Sequence, residues 1–424
     1  MVLSVTLSNY WSLVTVIKNN KVVDDFNFIL PFKSFRLSND NYWKEVLTKI
    51  SSTAQKKYGI EKPNIIISTD EDFLLKKPPV KHVYALPKVL GESPLPLVYV
   101  GEQRGYINNI VYPLIVSPVD FYRWFNLADD IAQVENYFHN RLAYSPKEPR
   151  DNWEKGFEEA LFRERLTFLF ENIQKNYLDT IDDLIIAGEA LSFSGDNKRF
   201  VLSFLDSLPK TSFVRVYRDY NNRLVNIQAL KYFNEDLYKD LISSHVIEDL
   251  AGCLVVPQAK EILLKFLDGT RLNINLEPNS ISVIPLDKGL KVEAKIIFEK
   301  GKSFFNVSGG TFGLVVDNRS RPLLKNRGSK ERITLIEKWL KEINSKIDFN
   351  IDSNLKPKKE KPLTEGKKLA DNEPKATLKN SALPVVKPKK LPKINFKKFP
   401  LPMRLKKPPK KGGNFEGSNK KSKK

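Results

Sequence analysis

"GGTFGLVVDNRSRPLL", Gly309 to Leu324, decides how the chain is read. Two glycines and the strand-like "TFGLVV" run into an Asp-Asn-Arg-Ser-Arg-Pro reversal. Such a stretch is either a phosphate cradle, whose backbone N–H groups close on an anion, or a strand leading into a tight turn. The residues upstream favour the turn. "EILLKFLDGTRLNINLE", "SISVIPLDKGLKVEAKIIFE" and "SFFNVSGGTFGLVV" alternate apolar and polar residues around Asp268-Gly269, Asp287-Lys288-Gly289 and Gly309-Gly310, which predicts three hairpins in a small β-rich module. Downstream the pattern is helical: from Ser329 as N-cap, Ile333, Ile336, Leu340, Ile343 and Ile347 recur at three- and four-residue spacing. The stretch is therefore expected to seal the module, with Arg319 and Arg321 available to an anion or a partner.

Nearer the N-terminus, "LSVTLS" and "SLVTVIK" lead to Asn19-Asn20, a pair that tolerates positive φ, and "KVVDDFNFIL" is the return strand. "PNIIISTD", "LPLVYVG" and "DDLIIAG" read as buried strands of an α/β sheet. Between the last two, Trp153, Phe157, Leu161, Phe162, Leu166, Leu169 and Ile173 mark the core face of an amphipathic helix. "KRFVLSFLDSLP" and "NEDLYKDLISSHVIEDLAG" predict further helices, the second stopped by Gly252, with "CLVVP" as the next strand. No internal repeat is visible.

The 424 residues carry a net charge of +20, but the excess is not evenly spread. From Ile351 onward there are 23 Lys and Arg against 6 Asp and Glu, which leaves 47 basic and 44 acidic residues for 1–350. That tail also holds 10 of the 26 prolines. Its charge and proline content cannot offset an ordering entropy of about 1–2 kcal/mol per residue, so disorder with polyproline-II character is expected beyond Asn350. Lys397, Lys398, Arg404, Lys406 and Lys407 are its candidate contacts to an anionic partner: nucleic acid, ribosome or membrane surface. Phe396 and Phe399 can add stacking.

One cysteine, Cys253, excludes an internal disulfide framework, and His82, His139 and His245 lack metal-ligand spacing. No metal site is expected; Cys253 reads as a buried thiol and His139 as an ordinary polar-face histidine. No apolar run reaches the roughly 18–20 residues that span a bilayer, and the start lacks a signal-peptide pattern, so a cytoplasmic chain is expected, with the tail able to hold it at a membrane or nucleoid. Neither a P-loop nor a GxGxxG pattern occurs. Three glycine turns, "YVGEQRG", "IIAGEALS" and "SGGTFG", each fit a hairpin or strand-to-helix reversal.

Taken in order, "HNRLAYSPKEP", "FEEALFRERL", "DDLIIAGEALS", "FLDSLPKTSFVRVYRD", "DLAGCLVVP", "GGTFGLVVDNRSRPLL" and "ITLIEKWL" resemble the glutamate mutase L family over roughly Asn136 to Asn344. Gly309, Gly310, Gly313, Leu314, Asp317, Arg319, Arg321 and Pro322 match that family's glycine pair, strand and Asp-x-Arg-Gly-Arg-Pro turn, with Ser320 in place of the turn glycine. The resemblance implies an α/β, actin/Hsp70-like (ribonuclease H-like) core over 1–205, a mixed then β-rich extension over 206–350, and a basic tail over 351–424. Family members are associated with adenosylcobalamin-dependent glutamate mutase as accessory or chaperone-like proteins.

The same resemblance implies three nucleotide loops, and the sequence departs from them. Thr6 stands where the first loop has Asp, with Ser8 near the Gly position. The second loop keeps Gly101, with Glu102 as the only substitute acid. The third, adenosine-contacting turn keeps Gly188 and Ala190 around an interposed Glu189. Phosphoryl transfer relies on metal-bound carboxylates and positioned phosphates. The reading is therefore a scaffold or chaperone-like protein that has lost ATPase chemistry, with no cofactor or with residual ATP/Mg binding, and with an unidentified protein partner. An active reactivating chaperone of a cobalamin mutase, and a protein acting through its tail, are the alternatives.

Overall fold

Asn19 and Asn20 take φ of 53° and 56°, so the chain reverses tightly at the asparagine pair. The reversal joins β2 (Trp11–Lys18) to β3 (Lys21–Ile29), and β2 pairs antiparallel with β1 (Val2–Leu7). This computed structural model describes residues 1–8, 11–30, 42–59, 62–117, 120, 122–124, 131–143, 149–172, 180–209, 212–243, 247–321, 323 and 329–345. The tail lysines and arginine named above, His245 and Pro322 lie outside them. β4 (Asn64–Thr69) adds parallel to β1 and β5 (His82–Ala85) parallel to β4, giving the order β3-β2-β1-β4-β5. Helices α1 (Tyr42–Tyr58), α2 (Asp72–Lys76) and α3 (Leu86–Leu90) intervene between strands or come after them.

A second sheet repeats the plan. β6 (Leu97–Val100), β7 (Arg104–Ile107) and β8 (Ile110–Pro113) form an antiparallel meander. After α4 (Ile131–Ala143) and α5 (Asn152–Asn172), β9 (Asp183–Ala187) pairs parallel to β6. After α6 (Asn197–Ser207), β10 (Ser212–Arg218) pairs parallel to β9. The order β8-β7-β6-β9-β10 is that of the first sheet, with the same strand directions. The fold is thus α/β with two ribonuclease H-like halves, the actin/Hsp70-like arrangement. It also corrects one expectation: there is an internal repeat, carried by topology. Apolar spacing and turn placement can duplicate a fold without duplicating residues.

The chain continues through α7 (Arg223–Ala229) and α8 (Glu235–Ile242) into β11 (Glu248–Val255), β12 (Glu261–Lys265), β13 (Arg271–Asn275), β14 (Ile281–Ile284), β15 (Lys291–Ile297), β16 (Lys302–Ser308), β17 (Leu314–Asp317) and α9 (Ser329–Glu342). β11, β17 and β14 extend the second sheet to eight strands, while β13-β12-β15-β16 form a separate four-stranded sheet. The Asp268-Gly269 hairpin forms as expected. The other two do not. β14 pairs with β17, and β15 with β12 and β16, so the segments around Asp287-Lys288-Gly289 and Gly309-Gly310 carry the chain between sheets. Gly252 does not stop a helix either; it lies in mid-β11, where a Cβ would stand 1.9 Å from the Ser308 carbonyl oxygen. At Gly309 a Cβ would stand 1.8 Å from the Leu286 carbonyl oxygen, so both glycines permit close backbone approach where the sheets cross.

One face of the eight-stranded sheet packs on α4, α5, α6 and α9 through Val98, Ile186, Val216, Cys253 and Val315. The other face splits. Leu254, Leu314 and Val316 meet the four-stranded sheet, and Leu97, Tyr99, Ile185 and Ala187 meet α3, α7, α8 and the first sheet. The apolar stripe of α5 is buried as expected from Phe157 to Leu169, with Ile173 outside the described residues. The helix is not amphipathic in the usual sense, however, because Glu154, Glu158, Glu159, Arg163, Glu164 and Arg165 are buried as well.

Candidate functional site

Each half presents one hairpin at the same place in its topology: β1–β2 around Ser8, and β6–β7 around Gly101-Glu102. The turn after β9, Gly188-Glu189-Ala190, is the third position expected to meet a nucleotide.

In the first hairpin Thr6 is fully buried, and its Oγ1 donates to Asn226 Oδ1 of α7 at 2.7 Å. Asn226 Nδ2 donates to Thr15 Oγ1 at 2.9 Å, and Ser4 Oγ donates to the Asn226 carbonyl at 2.7 Å. The polar face at the end of β1 is therefore filled by an amide from the other half of the molecule. Ser8 is buried, and its N–H donates to the Trp11 carbonyl at 3.0 Å, closing the hairpin.

In the second hairpin the Gly101 N–H donates to the Arg104 carbonyl at 3.1 Å. The Glu102 carboxylate is buried between two guanidinium groups, with Arg141 Nη2 of α4 at 2.6 Å and Arg165 Nη2 of α5 at 2.7 Å. Arg141 Nε also donates to Glu158 Oε1 at 2.7 Å. Burial alone would raise the Glu102 carboxyl, but the Arg141 and Arg165 charges outweigh it and hold it at about 2. Glu102 is thus a fully ionised structural anion, and both its oxygens are committed to arginine.

The third turn folds onto the second. Gly188 takes φ 119°, and a Cβ there would stand 2.3 Å from the Val100 carbonyl oxygen, so only glycine lets the turn lie against β6. Its N–H donates to Asn222 Oδ1 at 2.8 Å. Ala190 is buried in the helix-side core. Glu189 Oε2 accepts from the Tyr99 hydroxyl at 2.7 Å, and Oε1 accepts the Glu102 N–H at 3.2 Å. Burial pushes the Glu189 carboxyl up to about 7. Asn222 Nδ2 donates to the Tyr99 hydroxyl at 3.1 Å, completing the cluster. Asp219, pushed up to about 7 by burial, accepts the N–H groups of Leu224 and Val225 and so anchors α7, the helix that carries Asn226.

The structure thus brings Gly101, Glu102, Gly188 and Ala190 into one buried neighbourhood and leaves Thr6 and Ser8 in a separate one. Between the halves a cavity of about 410 Å³ lies at the carboxyl ends of β4 and β5, lined by residues including Thr69, Asp70, Asp72, Arg104 and Tyr106. None of the expected loop residues lines it. A larger cavity of about 610 Å³ lies away from the loops, between β10 and the four-stranded sheet.

The "DNRSRP" turn is an ion-pair latch. Asp317 and Arg319 are fully buried, with Arg319 Nε 2.8 Å from Asp317 Oδ1 and Arg319 Nη1 2.6 Å from Asp206 Oδ1 of α6. The Arg319 guanidinium lies 4.5 Å from the Trp339 ring of α9. Arg321 Nη2 donates to Asp317 Oδ2 at 2.6 Å. Gly310 and Gly313 bridge each other at the crossing into β17. Cys253 is buried, which pushes its thiol up. His139 is exposed, and His82 packs edge-on against Phe233. Among the described residues no group of three His, Cys, Asp or Glu is placed to hold a metal ion, and no helix is long and apolar enough to cross a membrane.

Asn226, Arg141, Arg165, Glu189 and Asn222 are not recognisable from sequence as partners of these loops. Only Asn222 carries a local signal: Asn221-Asn222, like Asn19-Asn20, takes positive φ at both residues.

No protein-family model matches the chain, and no curated protein matches it by sequence. Among solved structures, component A of (R)-2-hydroxyglutaryl-CoA dehydratase from Acidaminococcus fermentans is similar at 8% identity and a TM-score of 0.35, over 56% of this chain and 98% of that one. The ROK hexokinase from Thermus thermophilus is similar at 10% identity and a TM-score of 0.25, over 49% and 87%. A Ppx/GppA family member from Aquifex aeolicus is similar at 10% identity and a TM-score of 0.22, over 56% and 78%. The strand orders of the chain's own two sheets carry the fold assignment.

Proposed function

We propose that this protein is a non-catalytic actin/Hsp70-like scaffold or chaperone-like protein, related in kind to glutamate mutase L, whose nucleotide loops now hold its halves together. One observation carries the reading: each position at which such a fold would handle a phosphate or its metal is bonded within the protein. Thr6 binds Asn226, Glu102 binds Arg141 and Arg165, and Gly188 binds Asn222. Phosphoryl transfer needs a carboxylate able to reach a metal or an attacking water. Glu102 can do neither without breaking two buried ion pairs.

The test is titration of the full-length protein with Mg-ATP by calorimetry, together with a phosphate-release assay. The expected result is no turnover, and binding no tighter than millimolar. Sub-millimolar binding with turnover that disappears in Glu102→Gln would replace this reading with an active reactivating chaperone. The basic tail supports an appended role at an anionic surface. Binding of full-length protein to a nucleic acid or an anionic vesicle is expected to weaken steeply with salt. Equal binding after removal of residues 355–424 would exclude that role.

A further inference from the structure

Arg319 and Arg321 are two residues apart in the turn after β17, and the fold uses them differently. Arg319 is spent on Asp317 and Asp206. Arg321 spends only Nη2, on Asp317 and on the Leu205 carbonyl at 2.9 Å. Its Nε and Nη1 are buried with no hydrogen-bond partner among the described residues. Arg321 lines a cavity of about 300 Å³ between α5, α6 and the turn after β17. Thr167 of α5 lines the same cavity, and its Oγ1 is likewise buried without a partner. A buried donor with nothing to bind is costly, and here three polar atoms in that position belong to two residues of one cavity wall.

The rest of the wall narrows the ligand. Trp124, Leu208, Pro209 and Leu323 supply apolar surface. Two acids also line it: Asp206, turned to Arg319 Nη1 and to Arg163 Nε at 3.3 Å, and the exposed Glu171. Arg123, the other cation of the wall, is paired with Glu164 at 2.6 Å. A guanidinium edge offering Nε–H and Nη1–H matches the two oxygens of one carboxylate. The neighbouring acids oppose a dianion, and the apolar wall favours a hydrocarbon body.

We propose that this cavity binds a small organic monocarboxylate, its two oxygens on Arg321 Nε and Nη1 with Thr167 Oγ1 beside them, and its apolar part against Trp124, Leu208 and Pro209. At about 300 Å³ the space is at the lower end of small-molecule pockets. The site is separate from the nucleotide loops, so its fate is independent of the function proposed above.

The experiment uses full-length protein and four probes: phenylacetate, hexanoate, the uncharged phenylacetamide and inorganic phosphate, monitored by calorimetry and ligand-observed NMR. Binding of at least one monocarboxylate is expected, with phenylacetamide and phosphate weaker by roughly ten- to hundredfold. Arg321→Lys keeps the charge but loses the two-pronged edge, and is expected to weaken carboxylate binding by a similar factor. Thr167→Val leaves the Asp317 latch intact and is expected to weaken binding several-fold without lowering the melting temperature; it decides the matter should Arg321→Lys fail to fold. No carboxylate binding by the unaltered protein, phosphate binding as tight as phenylacetate, or full binding retained in Thr167→Val and in any folded Arg321→Lys protein would each overturn the proposal.

Discussion

The two hairpins that occupy equivalent places in the two halves are closed by different chemistry. At β1–β2 the closure is neutral: the hydroxyls of Thr6, Thr15 and Ser4 gather on Asn226. At β6–β7 it is ionic: Glu102 lies between Arg141 and Arg165, with Glu158 on the far side of Arg141. A neutral cluster asks little of its surroundings beyond hydrogen-bond geometry. A buried ionic cluster must be complete, because any charge left over has neither water nor a partner. The second half therefore has more to lose from a single substitution.

That contrast sets the order of expected effects. Glu102→Ala strands two guanidinium charges in the interior, and a loss of about 3–5 kcal/mol is expected in urea denaturation. A loss under about 1 kcal/mol would break the claim that charge closes this hairpin.

Next comes pH. Glu189 and Asp219 stand at about 7 in the folded protein against ordinary values of 4.5 and 3.8. The folded state holds those protons more tightly than the unfolded chain does. Their contribution is therefore fully present below the unfolded values and is lost as pH rises through about 7. Melting temperature is expected to fall between about pH 5 and 7.5, and Glu189→Gln to flatten that fall; an unchanged slope would remove Glu189 from the cluster. Glu102 acts in the opposite sense. Its depressed carboxyl stabilises above the unfolded value of 4.5, and that contribution is lost as pH drops toward about 2. Thr6, Thr15 and Asn226 contribute to neither limb.

Asn226→Ala leaves the buried hydroxyls of Thr6 and Thr15 without their amide, and should cost about 1–3 kcal/mol. Thr6→Val removes one neutral hydrogen bond, and about 0.5–1.5 kcal/mol is expected. Were Thr6→Val to cost as much as Glu102→Ala, the distinction between the two closures would fail. Chemical denaturation of the four variants side by side measures all of these differences except the pH limbs, for which melting curves suffice.

Much of the fold is legible in the sequence because it depends on patterns that are local along the chain. The strands of both halves, the Asn19-Asn20 reversal and the α5 stripe come from period and turn chemistry alone. The failures share a cause. The segments around Gly309-Gly310 and Asp287-Lys288-Gly289 have the alternation of hairpins, yet β15 and β14 belong to different sheets. Alternation tells which residues face a core, not which of two cores they face. Gly252 misleads for the same reason: its missing side chain makes room for a carbonyl from Ser308, which is remote in sequence.

By itself the sequence determined that the first nucleotide loop lacks its acid, because Thr6 cannot carry a charge whatever surrounds it. It also determined where the basic charge lies, since that is a matter of counting. Only the tertiary structure decided what Glu102 is. A carboxylate in a glycine turn reads as a catalytic substitute, and its availability depends on two arginines 39 and 63 residues away. The same holds for Arg319 and Arg321, alike in sequence and opposite in use. One faces two carboxylates in the core, and the other turns an unpartnered edge to a cavity that exists only once α5, α6 and the turn after β17 have come together.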